Sequence, residues 1–242
     1  SSQTDMLTDG LILMQSFDGG DMDWSNTGAE ARDASGSEYH GDVSGAVTER
    51  GKIGQALHFD GTDDTVAISG FDPPHSGTVA FWVNPDRSGG SRERIVGGHN
   101  SFEVTLEASG KIESNMFVAA ASIETDTVLS DGSWYHVALV YDFPTNQDMI
   151  YINGELEVDV ADADTDPGGP FTLTVGNRTG HTEYFGGEID ELRVYSRMLS
   201  EDEVLQLYHL GSAAGARGSA TLTFSHDTVL TDGCILMQTF DG

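Results

Sequence analysis

Three acidic residues within four positions, Glu188, Asp190 and Glu191, are the strongest candidates for catalytic chemistry in this sequence of 242 residues. Retaining glycoside hydrolysis uses two carboxylates about 5–5.5 Å apart, one as nucleophile and the other as acid/base. Other catalytic systems have less support, because none of the eight histidines forms a pair at metal-binding spacing. No glycine-rich phosphate loop follows a strand and opens a helix. Paired carboxylates are therefore the one catalytic arrangement among these residues that calls for a test.

The charge composition limits the possible partners. The sequence has 40 Asp and Glu residues against 11 Lys and Arg, for a formal net charge of −29, and its only lysines are Lys52 and Lys111. This composition argues against nucleic acid, because phosphate contacts need clustered Lys and Arg. It also argues against anionic membranes, and no stretch approaches the roughly 20 apolar residues of a membrane span. Three readings remain open: adaptation to high salt, a calcium-loaded surface protein, or an ordinary acidic surface.

The two ends of the sequence carry nearly the same segment. Residues 7–19 read LTDGLILMQSFDG and residues 230–242 read LTDGCILMQTFDG, identical at 11 of 13 positions. One explanation is a tandem array whose next copy begins at 225–242, after a small-residue junction at 211–224. The other is strand donation, in which the near-copy fills the same place in a neighbouring subunit. Either way, we expect contacts between copies through these residues: Leu11, Ile12, Leu13, Met14, Cys234, Ile235, Leu236 and Met237.

The single cysteine, Cys234, lies in the apolar run of that near-copy and is expected to be a buried, inert thiol. One cysteine excludes an intrachain disulfide.

Most of the sequence alternates short apolar strands with turn signals, which predicts an all-β sandwich. The dipeptide Asn153-Gly154 between two such strands is the strongest hairpin signal. The one helical segment begins with the capping box Ser200-Glu201-Asp202-Glu203, and Gly211 is expected to end it. The apolar strand around His136 indicates a packed core histidine.

The order of the segments resembles the laminin-G-like branch of the concanavalin A-like lectin/glucanase superfamily. The resemblance runs over residues 33–208, and its most specific block is FGGEIDELRVYSRMLSEDEVLQLY at 185–208. Other matching blocks are GKIGQALHFDGTDDTVAI (51–68), VAFWVNP (79–85) and LSDGSWYHVALVYD (129–142). This resemblance implies that residues 1–210 form a jelly-roll β-sandwich of two antiparallel sheets, with one short helix near its end. Such domains serve mainly in adhesion or glycan binding.

The resemblance also decides the catalytic hypothesis. In the glycanases of this superfamily the carboxylates follow one another on a strand as Glu-x-Asp-x-Glu, sometimes with one inserted residue. After Glu188 and Asp190 the closing glutamate would fall at position 192 or 193, which are Leu192 and Arg193. Without it no group protonates the leaving group. We therefore expect the chain not to be an enzyme.

A structural calcium ion is the expected cofactor. Alternation along the strand places Asp190 on the same face as Leu192 and Val194, where a buried carboxylate needs a hydrogen-bonding or metal partner. Calcium prefers carboxylate and carbonyl oxygens. The resemblance implies a site that joins the early strand, the FDG-type turn and this late aspartate, at Asp18, Asp60 or Gly61, and Asp190. The alternative is an Asp190 carboxylate satisfied by backbone N–H groups alone.

Glycan contacts are expected from aromatic and histidine side chains in loops, namely Trp24, His99, Tyr184 and Phe185. Trp82 lies in an apolar strand and is expected to be core. The sequence thus predicts a non-catalytic, extracellular or cell-surface structural and adhesive module, whose partners are copies of itself and possibly a glycan. A carbohydrate-binding module of a secreted glycan-active protein is the alternative. A high-salt environment is compatible with either.

Overall fold

The computed structural model describes residues 7–87, 90–98, 102–116, 123–161, 169–178 and 180–216. These residues form fifteen β-strands and one helix, α1 (Glu201–Ala216). The strands are β1 (Leu11–Gln15), β2 (Gly41–Ser44), β3 (Val47–Arg50), β4 (Gln55–Asp60), β5 (Thr65–Phe71), β6 (Ser76–Pro85), β7 (Glu93–Gly97), β8 (Phe102–Leu106), β9 (Lys111–Met116), β10 (Ile123–Val128), β11 (Tyr135–Asp142), β12 (Gln147–Ile152), β13 (Glu155–Ala161), β14 (Phe171–Val175) and β15 (Gly186–Tyr195).

Two antiparallel sheets form a jelly-roll sandwich, as the sequence predicts. The first has the order β13-β12-β11-β6-β15-β4-β3, with β1 paired to the far half of β15. The second has the order β10-β9-β8-β7-β14-β5-β2. On one side of the sandwich the edge strands are linked, because Glu157 of β13 accepts the backbone N–H groups of Asp126 and Thr127 of β10. On the other side β2 and β3 are the edge strands.

The main core lies between the two sheets. Alternate residues of each strand meet there, for example Leu57 and Val79 of the first sheet against Val66 and Val104 of the second. The central strands β6 and β11 are buried on both faces, which explains why their sequences read as continuous apolar runs rather than as alternation.

A second, smaller core forms between the outer face of the first sheet and α1, around Ala80, Tyr195 and Val204. The predicted capping box is confirmed: the Glu203 carboxylate accepts the backbone N–H of Ser200, and the Ser200 hydroxyl accepts the backbone N–H of Glu203. His136 is a packed core histidine, 1 % exposed, and burial lowers its pKa to about 3.

The prediction that the helix ends at Gly211 is wrong, because α1 continues to Ala216. Gly211 lies inside the helix where a Cβ atom would approach the Trp82 ring to 2.4 Å, so its lack of a side chain permits close packing rather than termination. The helix thereby covers Trp82, which is 1 % exposed and core, as expected. The first six residues of the predicted junction 211–224 are helical, and those from 217 onward lie outside the described residues.

The Asn153-Gly154 hairpin is confirmed between β12 and β13. Both turn residues have positive φ, 54° at Asn153 and 82° at Gly154, as a type I′ turn requires. The Asn153 side chain also accepts the backbone N–H of His136 at 3.0 Å, which ties the turn to β11.

Candidate functional site

An open pocket lies where the chain passes from one sheet to the other between β2 and β3. It encloses about 410 Å³ and is lined by Trp24, Val43, Gly45, Ala46, Val47 and Thr48. We call it the Trp24 pocket. Trp24 is 51 % exposed and so is Val47, which leaves an indole ring and an aliphatic side chain open to solvent on the same concavity.

The loop that carries Trp24 is fixed by hydrogen bonds on either side of the indole. The Asp23 carboxylate accepts the Ser25 hydroxyl at 2.6 Å and pairs with the Arg32 guanidinium at 2.6 Å. These hydrogen bonds, that of Ser25 first, hold the pKa of Asp23 below its usual value. Glu30 then links the loop to β2 by accepting the backbone N–H of Val43 at 3.1 Å. The Trp24 ring is therefore presented by a braced loop rather than by a free one.

The opposite wall depends on Gly45. Its φ of 80° lies in the left-handed region, and a Cβ atom there would approach the Asp64 carboxylate oxygen to 1.8 Å. Glycine therefore allows the chain to turn from the second sheet into the first, with the Asp64 carboxylate packed against the turn. This turn places Val43 and Val47 on the same pocket.

Such a pocket can bind a sugar ring. An indole face carries a partial negative charge and attracts the slightly positive C–H groups of a pyranose or furanose, while the ring edge remains hydrated. Small-molecule sites typically combine such an apolar surface with a few polar groups, here the Thr48 side chain and backbone groups of the β2–β3 turn.

The four predicted ligand-binding residues do not share one site. Trp24 lines the pocket and is exposed, as expected. Phe185 is wrong as a ligand contact, because it is 0 % exposed and packs against Phe59 at 6.2 Å between ring centroids. The loop before Phe185 has no regular alternation of apolar and polar residues from which its burial could be predicted. Tyr184 is half-buried, and its backbone forms an isolated parallel β-bridge with Arg94 of β7. It does not line the Trp24 pocket. His99 lies outside the described residues.

The four residues of the expected calcium site divide into two groups. Asp18 and Asp190 lie at the loop 51–55, where the Asp18 carboxylate accepts the N–H of Gln55 at 2.7 Å and Asp190 accepts that of Ile53 at 2.8 Å. Asp60 and Gly61 lie at the opposite end of β4, where Asp60 pairs with Gly186. The structure therefore brings Asp18 and Asp190 to one loop but does not bring Asp60 and Gly61 to it.

The prediction that Asp190 shares a face with Leu192 and Val194 is wrong. A bulge separates Asp190, which pairs with Trp82, from Arg193, which pairs with Ala80. Glu191 occupies the bulge with φ of 55°. This extra residue reverses the alternation, so Asp190 shares the outer face with Trp82 while Leu192 returns to the main core.

Asp190 is nevertheless fully buried, because the loop 51–55 covers it. Burial raises the pKa of Asp190 to about 8, and the charges of Glu191 and Asp18 add to the rise. Its Oδ1 atom has no hydrogen-bond partner among the described residues. The pKa of Glu191 is also raised, mainly by burial, although Arg193 beside it opposes the shift. Asp190 and Glu191 are thus two buried, adjacent carboxylates, with Asp18 near them and Oδ1 of Asp190 without a hydrogen bond.

The carboxylates of the catalytic hypothesis all have structural partners. Glu188 accepts the Asn84 amide and lies next to His58, while Glu191 pairs with Arg193. Asp190 and Glu191 are buried and neither of them lines the Trp24 pocket.

The early segment predicted as a contact between copies forms β1 within the chain itself. Leu13 is buried in the main core, and Leu11, Ile12 and Met14 are half-buried. The matching residues Cys234, Ile235, Leu236 and Met237 lie outside the described residues.

The sequence predicts only one member of the Trp24 pocket. Val43 and Val47 lie in short, mostly polar segments that predict neither a strand nor a site. The pocket arises because β2 and β3 enter different sheets at Gly45. No local pattern of residues carries that information.

The sequence model of a family described as the concanavalin A-like lectin/glucanases superfamily matches residues 60–205, more than half of the chain. No curated protein sequence matches significantly. No helix among the described residues is long and apolar enough to cross a membrane.

Solved structures share this fold. Domain 4 of AbnA, an extracellular arabinanase from Geobacillus stearothermophilus, in complex with arabinotriose, has a TM-score of 0.65 and 21% identity, covering 82% of this chain and 98% of that domain. The binding domain of Paraclostridial Mosquitocidal Protein 1 has a TM-score of 0.66 and 16% identity, covering 84% and 52%. The ligand binding domain of botulinum neurotoxin serotype D, in complex with N-acetylneuraminic acid, has a TM-score of 0.64 and 18% identity, covering 86% and 52%. The chain thus spans about half the length of the two toxin domains.

Proposed function

The chain belongs to the concanavalin A-like lectin/glucanase superfamily, and we propose that it is a non-catalytic carbohydrate-binding module whose sugar site is the Trp24 pocket. The observation that carries the proposal is the exposed Trp24 indole on an open concavity at a braced loop. Of the five large hydrophobic side chains that are exposed among the described residues, Trp24 and Val47 both line this pocket, and Trp24 is the only aromatic.

The charge of the chain favours neutral glycans as ligands. With a formal net charge of −29, the surface repels sialic and uronic acids over the distance of a Debye length, about 10 Å at 0.1 M salt. The structurally similar arabinanase domain was solved with arabinotriose, a neutral oligosaccharide. We therefore expect neutral polysaccharides to bind better than acidic ones.

The test is a screen of the purified chain on neutral and acidic oligosaccharides, followed by calorimetry on the best ligand. The Trp24→Ala variant should lose about 2- to 12-fold in affinity, since stacking on an aromatic ring contributes about 0.5–1.5 kcal/mol. Leu156→Ala is the matched control, because Leu156 is also an exposed hydrophobic residue, at 41 %, but lies on β13 at the other edge of the sheet. Unchanged affinity in Trp24→Ala would contradict the assigned site.

A structural calcium ion at the loop 51–55 is part of the same proposal. The residues fit the ion, because Asp190 has an orphaned buried oxygen and its neighbour Asp18 supplies a second carboxylate. Glu191 adds further negative charge that a divalent cation would offset. Calcium there would neutralise the cluster and hold the loop 51–55 against β15, leaving the Trp24 pocket to bind sugar.

A structural and adhesive role in an extracellular or cell-surface assembly is a second candidate, and one observation favours it. The near-copy at 230–242 retains the side chains that the first segment buries: Leu13, Gln15 and Phe17 are each at most 1 % exposed, and positions 236, 238 and 240 carry the same residue types. A segment with these side chains is suited to pair with β15 of another module, whether in a tandem array or in a strand-exchanged filament.

Electron microscopy of the purified protein, with and without a calcium chelator, tests the second candidate. Ordered filaments or chains with a repeat of one module would support assembly, and loss of order on chelation would add calcium to it. Single monomeric particles in both conditions would contradict assembly of this chain by strand exchange and leave the carbohydrate-binding proposal untouched.

A further inference from the structure

A group of potential metal ligands lies on the outer face of the first sheet, across three adjacent strands. Glu49 on β3, His58 on β4 and Glu188 on β15 each offer a ligand atom, and these atoms all lie within 4.8 Å of one another. The strand register explains the convergence: His58 pairs with Val47 on one side and with Glu188 on the other, and Glu49 is two residues along from Val47. All three side chains therefore point to the same side of the sheet.

Two of the three positions are held in place before any ion arrives. The Asn84 amide donates to Oε2 of Glu188 at 2.8 Å, which turns Oε1 toward His58. The distance from Oε1 to Nδ1 of His58 is 3.3 Å. The two side chains are only 19 % and 31 % exposed, so their rotamers are restricted by neighbouring residues.

A simple surface ion pair accounts for only part of this arrangement. His58 and Glu188 would form such a pair, and exposed pairs of this kind contribute about 0–1 kcal/mol. The carboxylate of Glu49 remains beside them with no hydrogen-bond or ion-pair partner in the described part of the chain. Two carboxylates facing one imidazole leave an excess of negative charge, which a divalent cation would offset.

The donor set selects the class of ion. An imidazole nitrogen with two carboxylate oxygens suits Zn²⁺ and its neighbours in the first transition series, whereas calcium prefers six to eight oxygen ligands. Two ligands about 2.1 Å from a tetrahedral ion lie about 3.4 Å apart, close to the separation that His58 and Glu188 already have. The fourth position of a tetrahedral ion would be open to water or to another ligand.

We propose that Glu49, His58 and Glu188 form a binding site for a divalent transition-metal ion of the zinc type. The site borders the Trp24 pocket, because Val47, which lines the pocket, is the cross-strand partner of His58. It goes beyond the carbohydrate-binding proposal and does not depend on it. The proposal concerns binding of the ion alone, so it can fail while sugar binding stands, and the reverse also holds.

Cobalt(II) titration of the untagged protein tests the site, since Co²⁺ substitutes for Zn²⁺ and reports tetrahedral coordination by its visible absorption. The protein is first stripped with a chelator and then kept in excess Ca²⁺, so that the acidic cluster at the loop 51–55 does not compete. We expect one tight equivalent that Zn²⁺ displaces. In His58→Gln and Glu188→Gln the affinity should fall by more than the roughly 10- to 100-fold typical of changes to outer-shell groups.

His181→Gln is the matched control. Nδ1 of His181 also lies 3.3 Å from a carboxylate, that of Glu183, and its side chain is 32 % exposed, but Glu183 is already paired with Arg94. This variant should bind Co²⁺ as the parent does. Because Glu49 is exposed, Glu49→Gln offers a further variant that should fold normally and bind more weakly. A parent protein without a tight equivalent, or equal binding by His58→Gln and the parent, would overturn the proposal.

Discussion

Asp190 is the residue where burial and charge conflict most, since its carboxylate is fully buried with one oxygen unsatisfied. If calcium occupies this cluster, it should stabilise the folded chain by about 2.7 kcal/mol at a free concentration of 100 times its Kd. We expect calcium to raise the thermal midpoint of the parent protein and to raise that of Asp190→Asn much less. Differential scanning calorimetry in calcium and in chelator measures both.

Asp72→Asn is the control for that comparison, because it removes one negative charge from an exposed position directly after β5. It should retain the full calcium response. Equal responses of the parent and Asp190→Asn would remove Asp190 from the calcium site.

Glu93 gives the chain a pH dependence of its own. It is 6 % exposed at the start of β7, and burial raises its pKa to about 7, although the backbone N–H of Gly186 donates to it. Its pKa in the unfolded chain is near 4.5. The folded state therefore favours the protonated form, and the stability that Glu93 contributes is complete below about pH 4.5 and is lost as the pH rises through 7.

We expect Glu93→Gln to be more stable than the parent at pH 8, by about 2–3 kcal/mol, and to differ little from it at pH 4.5. Glutamine keeps an oxygen that can accept from Gly186 and carries no charge at either pH. Urea unfolding at the two pH values measures the difference. The same free-energy difference at both values would show that the Glu93 carboxylate is not titrating in the folded chain.

At the scale of elements, α1 begins where two interactions meet on one carboxylate. Glu203 completes the capping box with Ser200 and also pairs with Arg197, and the hydrogen bond from Arg197 lowers the pKa of Glu203 to about 2. A depressed pKa means that Glu203 stabilises the fold above the unfolded pKa of 4.5 and that this contribution is lost as the pH falls toward 2.

Glu203→Ala should therefore cost about 1–2 kcal/mol at pH 7 and progressively less in acid. Glu201→Ala, in the same first turn but exposed and without a part in the capping hydrogen bonds, should cost far less. Denaturant titrations at pH 7 and pH 3 check both. Equal costs for the two variants at pH 7 would mean that the cap does not hold the helix.

The elements show what the sequence could predict. Continuous apolar runs predict the strands β6 and β11, and the capping box predicts the start of α1. The Asn153-Gly154 turn follows from two residue types that readily adopt positive φ. Each is a local property. The short edge strands β2 and β3 carry no such pattern, because one face of each is solvated and the other covers only part of the core.

The misplaced residues have a different physical origin. Asp190 changes face because Glu191 adds a bulge, and Gly211 lets α1 pack closely on Trp82 instead of ending the helix. Phe185 points into the core because its ring packs edge-to-face against Phe59. Each outcome depends on a residue that is distant in sequence. The same holds for the candidate site: Trp24 could be suspected from its loop, but Val47 lines the same pocket only because β2 and β3 enter different sheets.

At the scale of the whole molecule, the net charge of −29 should make stability depend on salt. Repulsion among 40 acidic side chains destabilises the compact state, and raising salt from 0.1 M to 1 M shortens the Debye length from about 10 Å to about 3 Å. We expect the urea midpoint to rise over this range of NaCl. Sucrose at matched osmolality, which screens no charge, is the control, and a midpoint that salt changes no more than sucrose would contradict the expectation.

NMR titration of the isotopically labelled chain with a neutral oligosaccharide tests whether sugar binds at the corner between the two sheets. We expect shifts of the Trp24 indole N–H and of the Val47 and Thr48 amides, with the same binding curve for all three. Shifts confined to the opposite edge of the sandwich, around β10 and β13, or saturating binding that leaves the Trp24 indole signal unmoved, would contradict it.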